Sequence, residues 1–159
     1  MSLVINVRGT FGAGKSTAIR AVINAAHVVE RLVDPWYPSK PWYYRLQIVN
    51  VARPVSVLGY YDNDVSIGVD DFAKYFGVAR VFDTLMAAVE TDHVVIEGVY
   101  FSLRKRWWLD LHAALASEHR LRIAYLDTTL DECVANVHTR RQRHNRNING
   151  ALNLAGMAE

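Results

Sequence analysis

The segment from Gly9 to Thr17 constrains this chain more than any other, because it matches the pattern Gly-x-x-x-x-Gly-Lys-Ser. Glycines let successive backbone N–H groups curve around phosphate oxygens, and a helix that begins just after them adds its positive end. The segment follows a predicted strand, Leu3–Arg8, and precedes a predicted helix from Ser16 to about Ala26. A strand, a glycine loop and a helix in this order predict a binding site for a nucleoside triphosphate.

The residue types of this loop suit phosphate and metal binding. Lys15 would reach the β- and γ-phosphates, and the Ser16 hydroxyl would be a ligand of Mg²⁺. We therefore expect ATP and Mg²⁺ as cofactors. The residues predicted to bind the nucleotide are Gly9, Gly12, Ala13, Gly14, Lys15, Ser16 and Thr17.

Predicted strands alternate with predicted helices along the rest of the chain. Extended segments are expected at 45–51, 55–60, 93–96 and 121–126, and helices at 70–91, 103–117 and 129–143. This alternation is typical of α/β proteins, in which a parallel sheet carries helices on both faces. The 159 residues suffice for one such domain and not for two, so we predict a single α/β domain over 1–159.

Composition excludes several classes of protein. The single cysteine, Cys133, rules out an internal disulfide framework and a cysteine zinc site, and is interpreted as a small buried residue. No apolar stretch approaches the roughly 18 residues that span a bilayer, and the first residues do not resemble a signal peptide. We expect a cytoplasmic protein without a membrane partner. The absence of an Asn-Lys-x-Asp element argues against a guanine-specific GTPase.

A glutamate follows the buried strand Val94-Val95-Ile96, at the edge where α/β sheets bind ligands. Glu97 could hold Mg²⁺ through water or orient a nucleophile. The alternative is a capping or salt-bridged surface glutamate. We predict that Ser16 and Glu97 form the metal site.

A second carboxylate follows the extended segment 55–60. Asp62 could accept the proton of a hydroxyl under attack, with Asp64 as a rival and a plain turn aspartate as the alternative. Asp70 and Asp71 are interpreted instead as the N-cap and a first-turn acid of the next helix. Asp62 is therefore the predicted catalytic carboxylate.

Basic residues concentrate near the end of the chain, where no acidic residue occurs from Cys133 to Ala158. Arginines placed in this way can neutralise a transferring phosphoryl group as part of a closing lid. A solvated basic helix end is the alternative. We predict a lid region at about 136–150, in which Arg140 and Arg141 are catalytic and Arg143 contacts the substrate.

An aromatic and proline-rich stretch occupies 34–44, and its three prolines exclude a helix there. The stretch could cover one edge of the sheet. It could instead line an acceptor pocket in which a base stacks on Trp42 and Arg45 meets a phosphate. Both interpretations of this stretch remain open from the sequence. Trp107 and Trp108, in a later segment, are interpreted as packed helix residues.

Four segments, taken in order, resemble the P-loop kinases of tailed bacteriophages, which are related to nucleotide kinases. The first leads into the glycine loop, and the others contain the two carboxylates and the helix that runs to the arginines. They are Val4-Ile5-Asn6-Val7-Arg8-Gly9-Thr10, Val57-Leu58-Gly59-Tyr60-Tyr61-Asp62, Val95-Ile96-Glu97-Gly98, and Tyr125-Leu126-Asp127-Thr128-Thr129-Leu130-Asp131-Glu132-Cys133 with Arg140-Arg141.

The resemblance implies a P-loop NTPase fold of the nucleotide-kinase type and ATP-dependent phosphorylation in phage nucleotide or DNA metabolism. Some such kinases phosphorylate the hydroxymethyl group of 5-hydroxymethyluracil in DNA, and this is the favoured acceptor here. A base inside a duplex would have to be flipped out to react. The alternatives are a deoxynucleoside monophosphate kinase and a regulatory or ATPase module without an acceptor. A phage origin implies the cytoplasm of an infected bacterium.

Overall fold

The computed structural model describes residues 1–34, 37–62, 68–99, 103–115 and 118–143. These residues form six strands and five helices, with three strands in succession after the first helix and two helices in succession after those. The strands are β1 (Leu3–Arg8), β2 (His27–Asp34), β3 (Tyr37–Gln47), β4 (Val55–Leu58), β5 (His93–Glu97) and β6 (Arg120–Tyr125). The helices are α1 (Lys15–Ala25), α2 (Val69–Phe76), α3 (Val78–Val89), α4 (Lys105–Leu115) and α5 (Leu130–Arg143).

All six strands join one sheet, in the order β2-β3-β4-β5-β1-β6. The four strands β4, β5, β1 and β6 are parallel, and β1 lies between β5 and β6. The strands β2 and β3 pair in antiparallel fashion and extend the sheet beyond β4. The α/β prediction is thus confirmed, but the sheet is mixed rather than parallel throughout.

Apolar side chains pack on both faces of this sheet, as the sequence predicts for an α/β protein. On one face, Ile19 and Ile23 of α1 pack in a cluster with Val7 and Val57. On the other face, residues of α2, α3 and α4 form a larger cluster that includes Val4 of β1. The helices therefore fix the position of β1, whose last residue leads into the glycine loop. Among the described helices, none has the length and apolar character needed to cross a bilayer.

The aromatic and proline-rich stretch forms a hairpin at the edge of the sheet. It supplies the end of β2 and most of β3, with register shifts in the pairing at three places. Proline lacks the N–H that a ladder needs, so an edge hairpin with irregular pairing is where strands tolerate it. The described part of this stretch therefore extends the sheet beyond β4 as strands of its own, rather than covering an edge from outside.

The single helix predicted over 70–91 is wrong, because Gly77 divides it into α2 and α3. Gly77 has φ +83° and ψ 157°, a conformation outside the helical region, and its N–H donates to Ala73 O. The predicted N-cap is also wrong. Gly68 occupies that position without a side-chain bond, and Asp70 and Asp71 both lie in the first turn of α2.

Candidate active site

The glycine loop has backbone angles that only glycine adopts without strain. Gly9, Gly12 and Gly14 have φ values of +151°, +82° and +87°. The loop connects the end of β1 to α1, which begins at Lys15, so the helix directs its N-terminal N–H groups toward the loop. This is the geometry that the sequence predicts for a phosphate cradle.

Lys15 folds back over the loop that precedes it. Its Nζ donates to Gly9 O and Thr10 O, each at 2.9 Å, and the side chain is almost completely buried. Burial lowers the pKa of Lys15, while the charges of Glu97 and Asp70 act in the opposite direction. The ammonium group thus lies against the loop carbonyls, and the charges of Glu97 and Asp70 act on it.

A hydrogen bond joins α1 to the end of β5 beside Lys15. Ser16 Oγ donates to Glu97 Oε1 at 2.7 Å, and Glu97 is only 3% exposed. Burial raises the pKa of Glu97, although the bonds from Ser16 and Tyr61 and the charge of Lys15 oppose that effect. The structure therefore brings together the two predicted metal ligands, and Glu97 is not the surface residue of the alternative interpretation.

This donor set fits the cofactors expected from the sequence. A serine hydroxyl and a carboxylate oxygen are the hard oxygen ligands that Mg²⁺ prefers. The lysine, the helix N-terminus and the loop amides suit the phosphates of a nucleotide. The residues present are thus chemically suited to a nucleoside triphosphate with its divalent cation.

The helix α5 supports the glycine loop from outside. A Cβ on Gly12 would collide with the carbonyl of Cys133, and Asn136 Nδ2 donates to Gly12 O at 2.9 Å. Cys133 is fully buried, as predicted, and its Sγ lies 3.0 Å from Thr10 Oγ1. Thr128 Oγ1 adds a bond to Ala13 O at 3.1 Å. The shape of the loop therefore depends on its packing against α5.

This packing predicts a difference between two glycines of the same loop. Gly12→Ala and Gly14→Ala both place a side chain at a left-handed position, which costs about 1–2 kcal/mol. Only Gly12→Ala also collides with α5, because a Cβ on Gly14 meets nothing within 4 Å. We expect Gly12→Ala to lower the free energy of unfolding by about 2 kcal/mol more than Gly14→Ala, as measured by urea denaturation. Equal losses would contradict the contact with α5.

Asp62 lies just beyond β4, as predicted, where its carboxylate contacts side chains of the β2–β3 hairpin. Tyr44 Oη donates to Asp62 Oδ1 at 2.9 Å, and Arg31 Nη1 lies 3.4 Å from Asp62 Oδ2. Tyr44 is fully buried and also accepts a bond from Tyr61 N at 3.0 Å. Asp62 is thus an exposed carboxylate held by the β2–β3 hairpin. Its rival Asp64 lies outside the described residues.

The predicted arginines have different positions. Arg140 lies on the exposed side of α5, and its charge is among those that lower the pKa of Lys15. Arg141, the next residue, is half-buried and projects roughly 100° around the helix. The backbone of Arg143 ends α5, and its side chain lies outside the described part of the chain, as do 144–150 of the predicted lid. Of these arginines, Arg140 thus lies near enough for its charge to act on Lys15.

The two residues predicted to contact substrate on the hairpin serve packing in the structure. The Trp42 ring centroid lies 4.5 Å from that of Phe72, and the Arg80 guanidinium lies over the Trp42 ring, 5.7 Å from its centroid. Arg45 forms two bonds of 2.9 Å to Asp92, which precedes β5. Asp92 and Glu97 flank opposite ends of β5, so Arg45 is not brought to the cradle. Trp107 and Trp108 are buried on α4, as predicted.

Two residues near Lys15 were missed from the sequence. Tyr61 is 3% exposed and bonds to the Glu97 carboxylate, and Asp70 acts electrostatically on both Lys15 and Glu97. Asp70 had a simpler interpretation as a helix cap. Two glycines offered a signal in the sequence. Gly68 precedes α2 and lies against Glu97, and Gly98 follows Glu97 and lies against Asp70.

A site of this kind, at the carboxyl ends of parallel strands in a mixed α/β protein, suits an enzyme that handles phosphate. Over 149 residues the sequence is 30% identical to the 5-hmdU DNA kinase of Pseudomonas phage PaMx11, with 89% of this chain and 71% of that relative covered. The chain belongs to this family of bacteriophage kinases and is a phosphotransferase, which confirms the resemblance noted above. No family model and no solved structure matches it.

Proposed function

We propose that the protein transfers the γ-phosphate of ATP, with Mg²⁺, to the hydroxymethyl group of 5-hydroxymethyluracil in DNA. The observation that carries this proposal is the Ser16–Glu97 bond beside the buried Lys15, at the end of a glycine loop. The name of the phage relative supports the choice of acceptor. The proposal assigns the chain to the P-loop NTPases of the nucleotide-kinase type.

The residues of the cradle would hold the donor in place. Lys15 and the amides of the loop would bind the β- and γ-phosphates, and Arg140 would add positive charge on the α5 side. Lys15 can exchange its two bonds to Gly9 O and Thr10 O for bonds to phosphate oxygens. Once Lys15 has made this exchange, these donors would face the phosphoryl group, and little further reorganisation would be needed when charge moves during transfer.

Ser16 and Glu97 would hold the divalent cation, Ser16 through its hydroxyl and Glu97 directly or through water. When bound, Mg²⁺ neutralises charge on the phosphates. Tyr61 would keep the Glu97 carboxylate oriented through the bond that already joins them. The sequence predicts Asp62 as the base for the acceptor hydroxyl, and Arg141 as a second lid arginine.

The test is transfer of label from γ-labelled ATP with Mg²⁺ to three kinds of acceptor. These are duplex DNA containing 5-hydroxymethyluracil, the same duplex with thymine, and a panel of deoxynucleoside monophosphates. We expect label on the first alone, with DNA binding that weakens steeply as salt rises, because phosphate contacts release counterions.

Each other outcome selects a different function. Label on one mononucleotide, with little dependence on salt, would replace the proposal by a deoxynucleoside monophosphate kinase. ATP hydrolysis at a rate unaffected by any acceptor would indicate a nucleotide-binding module without phosphoryl transfer to DNA or nucleotide.

A further inference from the structure

Three glycines bring the first turn of α2 against the end of β5. A Cβ on Gly59 would collide with the backbone of Gly68, and a Cβ on Gly68 would collide with Glu97. A Cβ on Gly98 would lie 2.5 Å from Asp70 Oδ1. At Gly59 and Gly68 the nearby atoms include backbone, so the chain segments approach closely there and a side chain larger than hydrogen does not fit. The Asp70 carboxylate lies beside Gly98, the residue that follows Glu97.

The charge of Asp70 acts on the groups that define the cradle. It is among the charges that raise the pKa of Lys15, and it also raises the pKa values of Glu97 and Tyr61. Asp70 is therefore close enough to these three groups for its charge to act on them. The contact with Gly98 fixes its place in the fold, and these charge effects agree with it.

Glu97, Asp62 and Asp70 are described carboxylates near this edge of the sheet, and their surroundings differ. Glu97 already accepts the Ser16 hydroxyl and belongs to the metal side of the cradle. Asp62 is held by Tyr44 and Arg31 on the exposed hairpin. A general base must reach a hydroxyl that itself lies about 3 Å from the γ-phosphorus. Asp70 is adjacent to the cradle without being part of the Ser16–Glu97 pair.

We propose that Asp70, rather than Asp62, is the catalytic base for the acceptor hydroxyl, an inference that rests on the phosphoryl transfer proposed above. The hydroxyl oxygen forms a bond to the γ-phosphorus while the bond from that phosphorus to the β–γ bridging oxygen breaks. The bridging electron pair leaves with ADP. The hydroxyl proton passes to a carboxylate oxygen of Asp70.

The experiment compares Asp70→Asn, Asp62→Asn and a matched control, Asp71→Asn, in the labelled-transfer assay. Asp71 lies beside Asp70 in the first turn of α2, so its substitution removes the same charge from the same helix end. We expect Asp70→Asn to lower kcat by about 10²–10⁴-fold and Asp71→Asn to leave it within about threefold. Binding of Mg²⁺ with a non-hydrolysable ATP analogue, measured by calorimetry, should be unchanged or tighter in Asp70→Asn.

A pH profile separates chemistry from structure. The wild-type kcat/KM should fall at acidic pH, because a protonated carboxylate cannot accept the hydroxyl proton, and the midpoint of this acidic limb should change in Asp70→Asn, where, of Asp70 and Glu97, only the Glu97 carboxylate remains. Should Asp70→Asn fail to fold, Asp70→Glu keeps the carboxylate and should retain the limb at reduced kcat. A loss of the limb in Asp70→Glu would overturn the proposal.

Two results would overturn the assignment directly. One is an Asp70→Asn enzyme within about threefold of the wild type; the other is loss of transfer in Asp62→Asn alone. Failure of the proposed function looks different, because the wild type itself would then not label 5-hydroxymethyluracil DNA. If it labels a mononucleotide instead, the same variants are compared with that acceptor. If it labels no hydroxyl, no base is needed and the inference falls.

Discussion

Replacement of Lys15 by alanine is expected to lower kcat for phosphoryl transfer by about 10²–10³-fold, the usual effect of removing one preorganised donor to developing charge. The structure places this ammonium group, almost wholly buried, between the loop carbonyls and the carboxylates of the site. The measurement is release of label from γ-labelled ATP into acceptor under saturating substrate.

The matched control is Lys105→Ala, which removes an exposed lysine at the start of α4. It should transfer label at the wild-type rate, so a general effect of lost positive charge is distinguished from a local one. Because Lys15 also bonds Gly9 O and Thr10 O, the thermal unfolding of Lys15→Ala must be compared with the wild type. A folded Lys15→Ala enzyme with near-normal kcat would contradict the role of the cradle.

Replacement of Arg45 by methionine is expected to destabilise the fold by about 3 kcal/mol and to leave the catalytic rate of the folded enzyme unchanged. Asp92 is completely buried, and Arg45 provides two bonds of 2.9 Å to it while being about one-third exposed itself. Loss of Arg45 would leave a buried carboxylate without its charge partner. Urea denaturation and the transfer assay measure the two effects separately.

The control for this prediction is Arg106→Met, which breaks an exposed pair with Asp110 on α4. Exposed pairs of this type contribute less than about 1 kcal/mol. A loss in Arg45→Met no larger than in Arg106→Met would show that the buried pair is not stabilising. A large rise in KM for the acceptor would instead restore Arg45 as a substrate contact.

The pair also predicts how stability changes with pH. Burial alone would raise the pKa of Asp92, but the bonds from Arg45 and Ser56 hold it below its usual value. As pH falls, Asp92 is therefore protonated at a higher pH in the unfolded chain than in the folded protein. The stability that Asp92 contributes is lost as pH falls below about 4 and through the lowered pKa of the folded protein. In Arg45→Met the loss should begin at a higher pH.

The sequence predicted the parts of the fold and site that depend on neighbouring residues. The strand Leu3–Arg8, the glycine loop and the helix after it are confirmed because local spacing and backbone freedom determine them. The Ser16–Glu97 pair could also be predicted, since carboxyl ends of parallel strands meet at one edge of a sheet.

The remainder depends on contacts that no local pattern contains. The strands β2 and β3 pair with each other in an antiparallel register that no local pattern contains. The prolines of β3 also argue against a strand when the sequence is read alone. The break at Gly77 competes with an uninterrupted apolar pattern, in which one glycine is a weak signal. Asp70 gains its position from glycines of three separate segments that pack in space, and Arg45 loses its predicted role to a distant partner, Asp92.

The contact between the glycine loop and α5 has a mechanical consequence. Asn136 donates to Gly12 O, and Arg140 lies one helical turn further along α5, a rise of about 6 Å. The backbone of α5 thus joins the loop to the residue that carries the Arg140 guanidinium. A change in the shape of the loop that broke the contact with Asn136 would also change where the helix presents this arginine.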